Sequence, residues 1–220
     1  MDDYRRLPSP NRTDRVISVE FLILHFTAVD LQGTLDIFLN PDSQVSAHLV
    51  VDLDGSVFEM VDCLEGKALR GWHAGDSCWQ QWSEFNDFSV GIELVNNNGN
   101  LFEFTDAQYE SLQWIVTRLK QHYPELSDPE RVLGHEHIAG HRGKADPGLC
   151  FDWKRFYKAC YPDHEPPVRE ALLPEKLQQS LLQLAENEPK EMSQKQKFWC
   201  SVSRVSESAL TLIWQEKKDV

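Results

Sequence analysis

The sequence lacks both long apolar runs and an excess of basic residues. None of its hydrophobic segments reaches the roughly 18 to 20 residues that a membrane-spanning helix needs. Against 35 Asp and Glu residues it has 22 Lys and Arg residues, which gives a formal net charge of −13 at pH 7. No broad basic surface is therefore available to bind a phosphate backbone. We expect no membrane span and no nucleic-acid partner, and the composition indicates no particular oligomeric state.

Cysteine is also scarce, and its pattern excludes a disulfide scaffold. The five cysteines form an odd set without a CxxC pair: Cys63, Cys78, Cys150, Cys160 and Cys200. Reduced thiols are therefore expected. A Cys150–Cys160 disulfide in an oxidising compartment is the alternative.

The amino terminus lacks the features of a secretory signal. Met1 to Pro8 mixes acidic residues with proline and has no basic segment, apolar run or small-residue cleavage site. We expect a cytoplasmic protein. The alternative is a periplasmic or exported protein that uses another route or whose signal has been removed.

What the sequence does contain is enough apolar material for one core and an appendage. Of its 220 residues 41% are hydrophobic, which supports one substantial domain with some chain left over. The composition changes after Tyr161, where three prolines alternate with acidic residues. We therefore predict a main domain over residues 1–162 and a C-terminal extension over residues 163–220.

The extension has a leucine-rich pattern followed by two apolar segments. The leucines between Leu172 and Leu184 predict an amphipathic helix. Phe198 to Val205 and Ala209 to Trp214 are interpreted as two possible strands of a hairpin. A leucine stripe needs an apolar partner, and the short linker favours packing on the main domain over a second copy or a wall polymer.

Within the main domain, apolar periodicity predicts strands and helices in alternation. Strands are predicted at Val19 to His25, His48 to Asp52, Ser56 to Val61, Ser89 to Val95 and Arg131 to Gly134, and helices at Gly33 to Asn40 and after Thr105. Asp54-Gly55 predicts a hairpin turn, and Thr105 with Gln108 matches a capping box. This order predicts an α/β fold with a central mixed β-sheet flanked by helices.

Two histidines and one acidic residue form the best candidate metal site. Catalytic zinc sites use three protein ligands and leave a fourth position open. His25 ends a predicted strand, His135 follows another, and functional groups of α/β sheets gather at such ends. Asp146 precedes Pro147-Gly148, a turn that could hold its carboxylate in place.

Other histidines could serve instead, and any of them could simply bond to backbone carbonyls. His137 and His141 lie close to His135, and a pair four residues apart on a helix can bind a metal. Gly134, Gly140 and Gly143 argue against a helix through this segment. This favours His135 as the ligand.

Seven blocks of the sequence carry a family resemblance. They are Leu24 to Ala28, Val45 to His48, Gly71 to Gly75, Asn86 to Glu93, Thr105 to Tyr109, Gly134 with His135, and Lys144 to Gly148 with Phe151 to Trp153. In this order they resemble the N-acetylmuramoyl-L-alanine amidase family, which includes zinc amidases of the AmpD, AmiD and phage lysozyme types and is related to peptidoglycan recognition proteins. The resemblance covers about residues 15–160.

The resemblance implies an activity and assigns roles. It implies hydrolysis of the amide bond between N-acetylmuramic acid, or its anhydro form, and L-alanine in peptidoglycan or muropeptides. It implies one Zn²⁺ per chain on His25, His135 and Asp146, Glu93 as general base and Lys144 as oxyanion stabiliser. These roles suit the residue types, because a carboxylate can shuttle a proton and an ammonium can stabilise developing negative charge. Without the resemblance, Glu93 could be a solvent-facing strand residue and Lys144 a solvated loop residue.

Three further residues, Trp72, His73 and Asn86, match positions in the family's substrate cleft, and His48, at the end of the Val45 to His48 block, could line the pocket. Trp72 could instead be core packing, Asn86 a turn former and His48 a structural histidine. Phe26 stands where AmpD enzymes place a polar residue, and residues 80–85 lack the arginine of their sugar-recognition region. These two differences favour a broader, AmiD-like choice of muropeptides or intact wall.

Two functions of other kinds remain as alternatives. One is a recognition module that binds peptidoglycan without cutting it, but a pure binder has no need for an open metal site. The other is an exported antibacterial amidase effector. The sequence favours the hydrolase.

Overall fold

The computed structural model describes residues 4–218. Residues 1–3, on which the expectation of no secretory signal partly rests, and residues 219–220 of the extension lie outside the described residues. The strands are β1 Arg5–Arg6, β2 Arg12–Val16, β3 Phe21–Phe26, β4 Leu49–Val51, β5 Val57–Glu59, β6 Leu69–Gly71, β7 Cys78–Trp79, β8 Trp82–Ser83, β9 Ser89–Leu94 and β10 Val132–Gly134. The helices are α1 Leu31–Phe38, α2 Asp106–His122, α3 His135–Ala139, α4 Trp153–Cys160, α5 Glu175–Ala185 and α6 Met192–Lys218.

A mixed six-stranded sheet, in the order β1-β5-β4-β9-β3-β10, forms the centre of the molecule. Its neighbours β4, β9, β3 and β10 run parallel, whereas β5 is antiparallel to β4. Short pairs β2-β6 and β7-β8 lie outside this sheet. The predicted α/β class with a central mixed sheet is confirmed.

The alternation of side chains along β3 separates the two faces of the sheet. Leu22 and Leu24 join the main core with residues of α2 and α4. Phe21 and Ile23 pack on the opposite face, in a cluster that includes residues of α3. Because side chains alternate along a strand, His25 shares the face of Phe21 and Ile23.

Local signals explain why the central elements form where they do. At the start of α2, the Thr105 hydroxyl accepts from the Gln108 backbone N–H and the Gln108 side chain accepts from the Thr105 N–H, both at 3.1 Å. This is the predicted capping box. The predicted hairpin also forms, with β4 and β5 joined by a turn in which Gly55 has a φ of +84°.

The prediction that glycines exclude a helix after residue 134 is wrong. His135–Ala139 is a short helix, and a 3₁₀ turn over Gly140–Arg142 follows it. The reason lies in where the glycines are. Gly134 precedes the helix and Gly143, with a φ of +81°, ends the turn, so these two bracket the helical segment instead of interrupting it.

The predicted C-terminal hairpin is also wrong. Both of its proposed strands, Phe198 to Val205 and Ala209 to Trp214, lie within the single helix α6. The residues between them include no glycine or proline that could turn the chain, and the buried side chains Trp199, Val202 and Leu210 recur at helical spacing. The preceding leucine-rich segment forms the predicted helix, α5, although Leu172 and Leu173 lie before its first residue, Glu175.

The two C-terminal helices pack on the main domain, as the sequence predicts. Their apolar side chains, with Leu173 just before α5, form one cluster with Ala145 and Leu101 of the main domain: Leu177, Leu181, Ala185, Phe198, Trp199, Val202 and Leu210. A polar contact supports the same docking, because the Gln196 amide donates to Asp30 at 2.7 Å. The boundary at residue 162 stays a prediction.

The five cysteines are free thiols, and no Cys150–Cys160 disulfide forms. Among residues 4–218, none of the helices combines the length and the apolar character that crossing a membrane would demand.

Candidate active site

Three candidate residues lie at the same edge of the sheet because of strand register. His25 in β3 pairs directly with Glu93 in β9. On the other side of β3, Leu24 pairs with Gly134, the last residue of β10, so that His135 follows at the carboxyl end of that strand. Parallel pairing therefore brings two imidazoles and a carboxylate to one edge.

The loop after α3 brings Asp146 to the two histidines. Asp146 Oδ2 lies 3.0 Å from His25 Nδ1 and 3.1 Å from His135 Nδ1. The backbone holds this loop, because the Glu136 N–H donates to the Asp146 carbonyl at 2.9 Å. His25, His135 and Asp146 are all buried.

Hydrogen bonds on the far side of each imidazole determine which nitrogen carries its proton. His135 Nε2 lies 3.2 Å from the Ala74 carbonyl oxygen, which can only accept, so this nitrogen is the donor. His73 Nε2 lies 3.3 Å from the Ser89 carbonyl oxygen and is a donor for the same reason. His73 Nδ1 must then accept from His25 Nε2, 3.2 Å away. In the neutral rings, Nδ1 of both His25 and His135 is left unprotonated.

Burial keeps His25 in its neutral state. Burial, with a smaller contribution from His135, lowers the pKa of His25 to about 4. Burial alone raises the pKa of the Asp146 carboxyl, whereas positive charge on the side of His135 and His25 lowers that pKa well below its ordinary value. Near neutral pH, His25 is therefore neutral, and a cation held beside its Nδ1 atom and that of His135 would keep Asp146 ionised.

In the neutral forms of the two rings, the lone pairs of His25 Nδ1, His135 Nδ1 and Asp146 Oδ2 face one another without a hydrogen atom between them. Two unprotonated Nδ1 atoms face one carboxylate oxygen, and the three ligand atoms lie within 4.8 Å of one another. Such an arrangement is unfavourable unless a cation lies between the atoms. His25, His135 and Asp146 could therefore hold a metal ion.

Glu93 presents an unsatisfied carboxylate beside this group. Among residues 4–218, nothing hydrogen-bonds to its buried Oε2 atom. Burial, together with the nearby Asp146 carboxylate, raises the pKa of Glu93 to about 8. A buried carboxylate without a partner is costly to maintain in a fold, which suggests a function.

These residues surround one cavity of about 260 Å³. Its lining includes His25, Glu93, His135 and Asp146, together with Trp72, His73 and Lys144. Lys144 Nζ forms an ion pair with Glu207 Oε1 at 2.5 Å. Helix α6 contributes Ser203, Ser206 and Glu207 to the lining, which the sequence analysis did not anticipate. The sequence analysis placed Ser203 in a predicted strand and Ser206 and Glu207 between two predicted strands, so it gave no signal for these three residues.

Close packing places the His73 ring against the sheet. A Cβ atom on Gly91 would lie 2.5 Å from the His73 ring, so only glycine lets the imidazole approach β9. Asn86 does not line the cavity; its side-chain oxygen accepts from the backbone N–H groups of His73 and Ala74 at 2.9 and 2.8 Å. Its position therefore supports the segment that carries His73 and does not support the interpretation of Asn86 as a substrate contact.

His48 also lies outside the cavity, contrary to the interpretation of it as a cleft residue. Its ring is fully buried, accepts from the Gly91 N–H at 3.0 Å and lies 2.8 Å from the Leu69 carbonyl oxygen. Both ring nitrogens are thus used within the protein, which fits the structural alternative.

The alternative histidine ligands lie elsewhere. His137 Nδ1 accepts from the Gly134 N–H at 2.7 Å. His141 Nε2 lies 3.4 Å from an Asp76 carboxylate oxygen. Neither belongs to the group that could hold a metal.

Comparisons with known proteins agree with this geometry. The sequence model of the family described as N-acetylmuramoyl-L-alanine amidase matches residues 15–149. The 1,6-anhydro-N-acetylmuramyl-L-alanine amidase AmpD of Haemophilus influenzae is 32% identical over an alignment of 176 positions, which covers 71% of this chain and 91% of that protein.

Two solved structures resemble this fold. A selenomethionine AmpD derivative matches with a TM-score of 0.61 and 31% identity, over 72% of this chain and 95% of that one. Escherichia coli AmiD, in complex with anhydro-N-acetylmuramic acid-L-Ala-D-γ-Glu-L-Lys, matches with a TM-score of 0.59 and 26% identity, over 78% of this chain and 72% of that one.

Proposed function

The chain belongs to the N-acetylmuramoyl-L-alanine amidase family, and we propose that it hydrolyses the amide bond between N-acetylmuramic acid, or its 1,6-anhydro form, and L-alanine. The observation that carries the proposal is the convergence of His25, His135, Asp146 and Glu93 at one edge of the sheet, in one cavity. Peptidoglycan fragments are the proposed substrates.

We propose one Zn²⁺ per chain, held by His25, His135 and Asp146. Two imidazole nitrogens and one carboxylate oxygen form a ligand set used by catalytic zinc sites, and the three lone pairs that face one another here suit such a cation. When bound, zinc lowers the pKa of a coordinated water to about 7 and polarises a carbonyl group.

Glu93 and Lys144 supply the remaining chemistry. A cation bound at His25, His135 and Asp146 would lower the raised pKa of Glu93, as the Lys144 ammonium does. The resulting carboxylate, whose Oε2 has no partner within residues 4–218, is free to take a proton from the attacking water. It can then deliver that proton to the L-alanine nitrogen, which otherwise leaves as a poor anion. The Lys144 ammonium lines the same cavity and can stabilise the negative charge that develops on the carbonyl oxygen.

Trp72 and His73 are the proposed substrate contacts, since both line the cavity. An aromatic ring offers an apolar face to a sugar or peptide stem. The cytoplasmic location expected from the sequence stays a prediction.

Product analysis tests the proposal directly. The purified protein is incubated with anhydro-N-acetylmuramic acid-L-Ala-D-γ-Glu-L-Lys or with intact sacculi, and the products are identified by mass spectrometry. We expect release of a peptide that begins with L-alanine, and loss of this reaction with a chelator. The two substrates also test the AmiD-like breadth that the sequence favours. Tight binding without any cleavage would instead support a recognition module.

A further inference from the structure

Helix α6 packs directly against the loop that carries two of the proposed active-site residues. A Cβ atom on Gly143 would lie 1.9 Å from the Glu207 carbonyl oxygen, so the two backbones meet at a point where only glycine fits. Two residues further on, Ala145 belongs to the apolar cluster that contains Trp199, Val202 and Leu210 of the helix. The intervening Lys144 and the adjacent Asp146 are therefore held by a surface that the C-terminal extension provides.

The same helix presents a polar face to the cavity. Ser203, Ser206 and Glu207 occupy positions i, i+3 and i+4, which lie on one side of a helix, and all three line the cavity. The Ser206 hydroxyl donates within the helix to the Val202 carbonyl at 2.8 Å. The buried Ser203 hydroxyl has no hydrogen-bond partner in the part of the chain from residue 4 to 218. The extension thus forms one wall of the cavity, not a separate module.

The Lys144 side chain depends on this wall for its position. Its side chain is 25% exposed, and its ammonium lies 2.5 Å from the carboxylate of Glu207, which is 37% exposed. Within residues 4–218, Lys144 forms no other ion pair. Lysine has a flexible four-carbon stem and a strongly hydrated ammonium group. The ammonium therefore stays in a partly enclosed position only when a partner compensates for lost water.

We propose that Glu207 is a positioning residue for catalysis: its carboxylate holds the Lys144 ammonium at the cavity, where Lys144 acts on the substrate carbonyl. The inference rests on the proposed amidase function and extends the active site to helix α6. Without the carboxylate, the ammonium gains hydration by turning outward to solvent, and only a fraction of the molecules keep it in the productive position.

A double-mutant cycle on the full-length, zinc-loaded protein tests the proposal. Lys144→Gln is expected to lower kcat by about 10²-fold, as for loss of one oxyanion partner. Glu207→Gln is expected to lower kcat by about tenfold with KM nearly unchanged, because positioning is impaired but the ammonium is retained. In the Lys144→Gln background, Glu207→Gln should have no further effect. Glu207→Asp, which keeps the charge, should retain more activity than Glu207→Gln.

Exposed Glu216 on the same helix provides the matched control, since Glu216→Gln removes an equal charge away from the cavity. Equal losses from Glu207→Gln in both backgrounds would mean a structural role and would overturn the proposal. An unchanged kcat in Glu207→Gln would also overturn the proposal. An increased kcat would overturn it as well and would show that Glu207 restrains Lys144.

A second readout does not depend on activity. The rate of Lys144 acetylation by an amine-reactive reagent, followed by peptide mass spectrometry, should rise several-fold in Glu207→Gln and stay unchanged in Glu216→Gln. An equal rate in the wild-type protein and Glu207→Gln would overturn the proposal. A wild-type protein that cleaves no muropeptide would instead refute the proposed function, and the acetylation rates would still decide whether Glu207 holds Lys144.

Discussion

Replacement of Trp199 by alanine tests whether the C-terminal helices belong to the folded unit that carries the site. Trp199 is only 1% exposed. Its indole N–H donates to Glu188 at 2.8 Å, and its ring packs edge-on against Phe102 with a centroid distance of 5.3 Å. Alanine would leave a large cavity between α6 and the main domain, which surrounding side chains could fill only in part.

The magnitude follows from this burial. Replacing a core tryptophan by alanine costs about 3–5 kcal/mol in the free energy of unfolding. For a chain of this length, such a loss corresponds to a Tm that is about 6–20 °C lower. The assay is a thermal melt followed by circular dichroism and by calorimetry, and we expect one cooperative transition in the wild-type protein and the variant.

Leu212→Ala on the same helix is the control. Leu212 is 62% exposed, so its replacement should change the stability by no more than about 0.5 kcal/mol. A Trp199→Ala protein with the Tm of the wild type would refute the reasoning. Two separate transitions in the wild-type protein would do the same, because they would show that the extension unfolds on its own.

Three further predictions concern the site and its support. His135→Ala should lose stoichiometric zinc in metal analysis, because one of three converging ligand atoms is removed; stoichiometric zinc in that variant would move the site, with His137 or His141 to be tested next. Glu93→Gln should keep zinc and muropeptide affinity but lose at least about 10²-fold in kcat, and near-normal turnover would assign the base to another group. Truncation after Pro162 should lower the Tm or cause aggregation, since it uncovers Ala145; unchanged Tm and turnover with weaker binding to sacculi would recast the extension as a wall-targeting module.

The group that could hold a metal ion could be predicted from the sequence because its signals are local. A short apolar run that ends in His25 and another that ends before His135 predict strands, and parallel strands bring their carboxyl ends to one edge. The structure places both residues as predicted, with Asp146 at 3.0 and 3.1 Å. The predicted strand ends placed the two histidines together, and the family resemblance singled out Glu93 as the proposed general base.

The roles of His48 and Asn86 could not be predicted in this way. Both belong to sequence blocks that resemble the family's cleft, yet their polar atoms bond to backbone groups of β9 and of the His73 segment. The packing of several elements determines which hydrogen-bond partners a buried polar side chain has. The sequence pattern contains no information about these partners.

The contribution of α6 was the least accessible to sequence reasoning. The aromatic and β-branched residues around Trp199 favour strands locally. In the structure a helix forms, because it places Trp199, Val202 and Leu210 on one side, where they pack with Ala145. The pairing of Glu207 with Lys144 joins residues that are 63 positions apart. No local pattern points to such a contact.

The most direct test of the central claim is to measure muropeptide turnover as zinc is restored to the metal-free protein. Turnover should rise in proportion to bound zinc and level off at one equivalent per chain, while Glu93→Gln should bind the same single equivalent and remain nearly inactive. Metal-free protein that releases the L-alanine peptide as fast as the zinc-loaded protein would contradict the account.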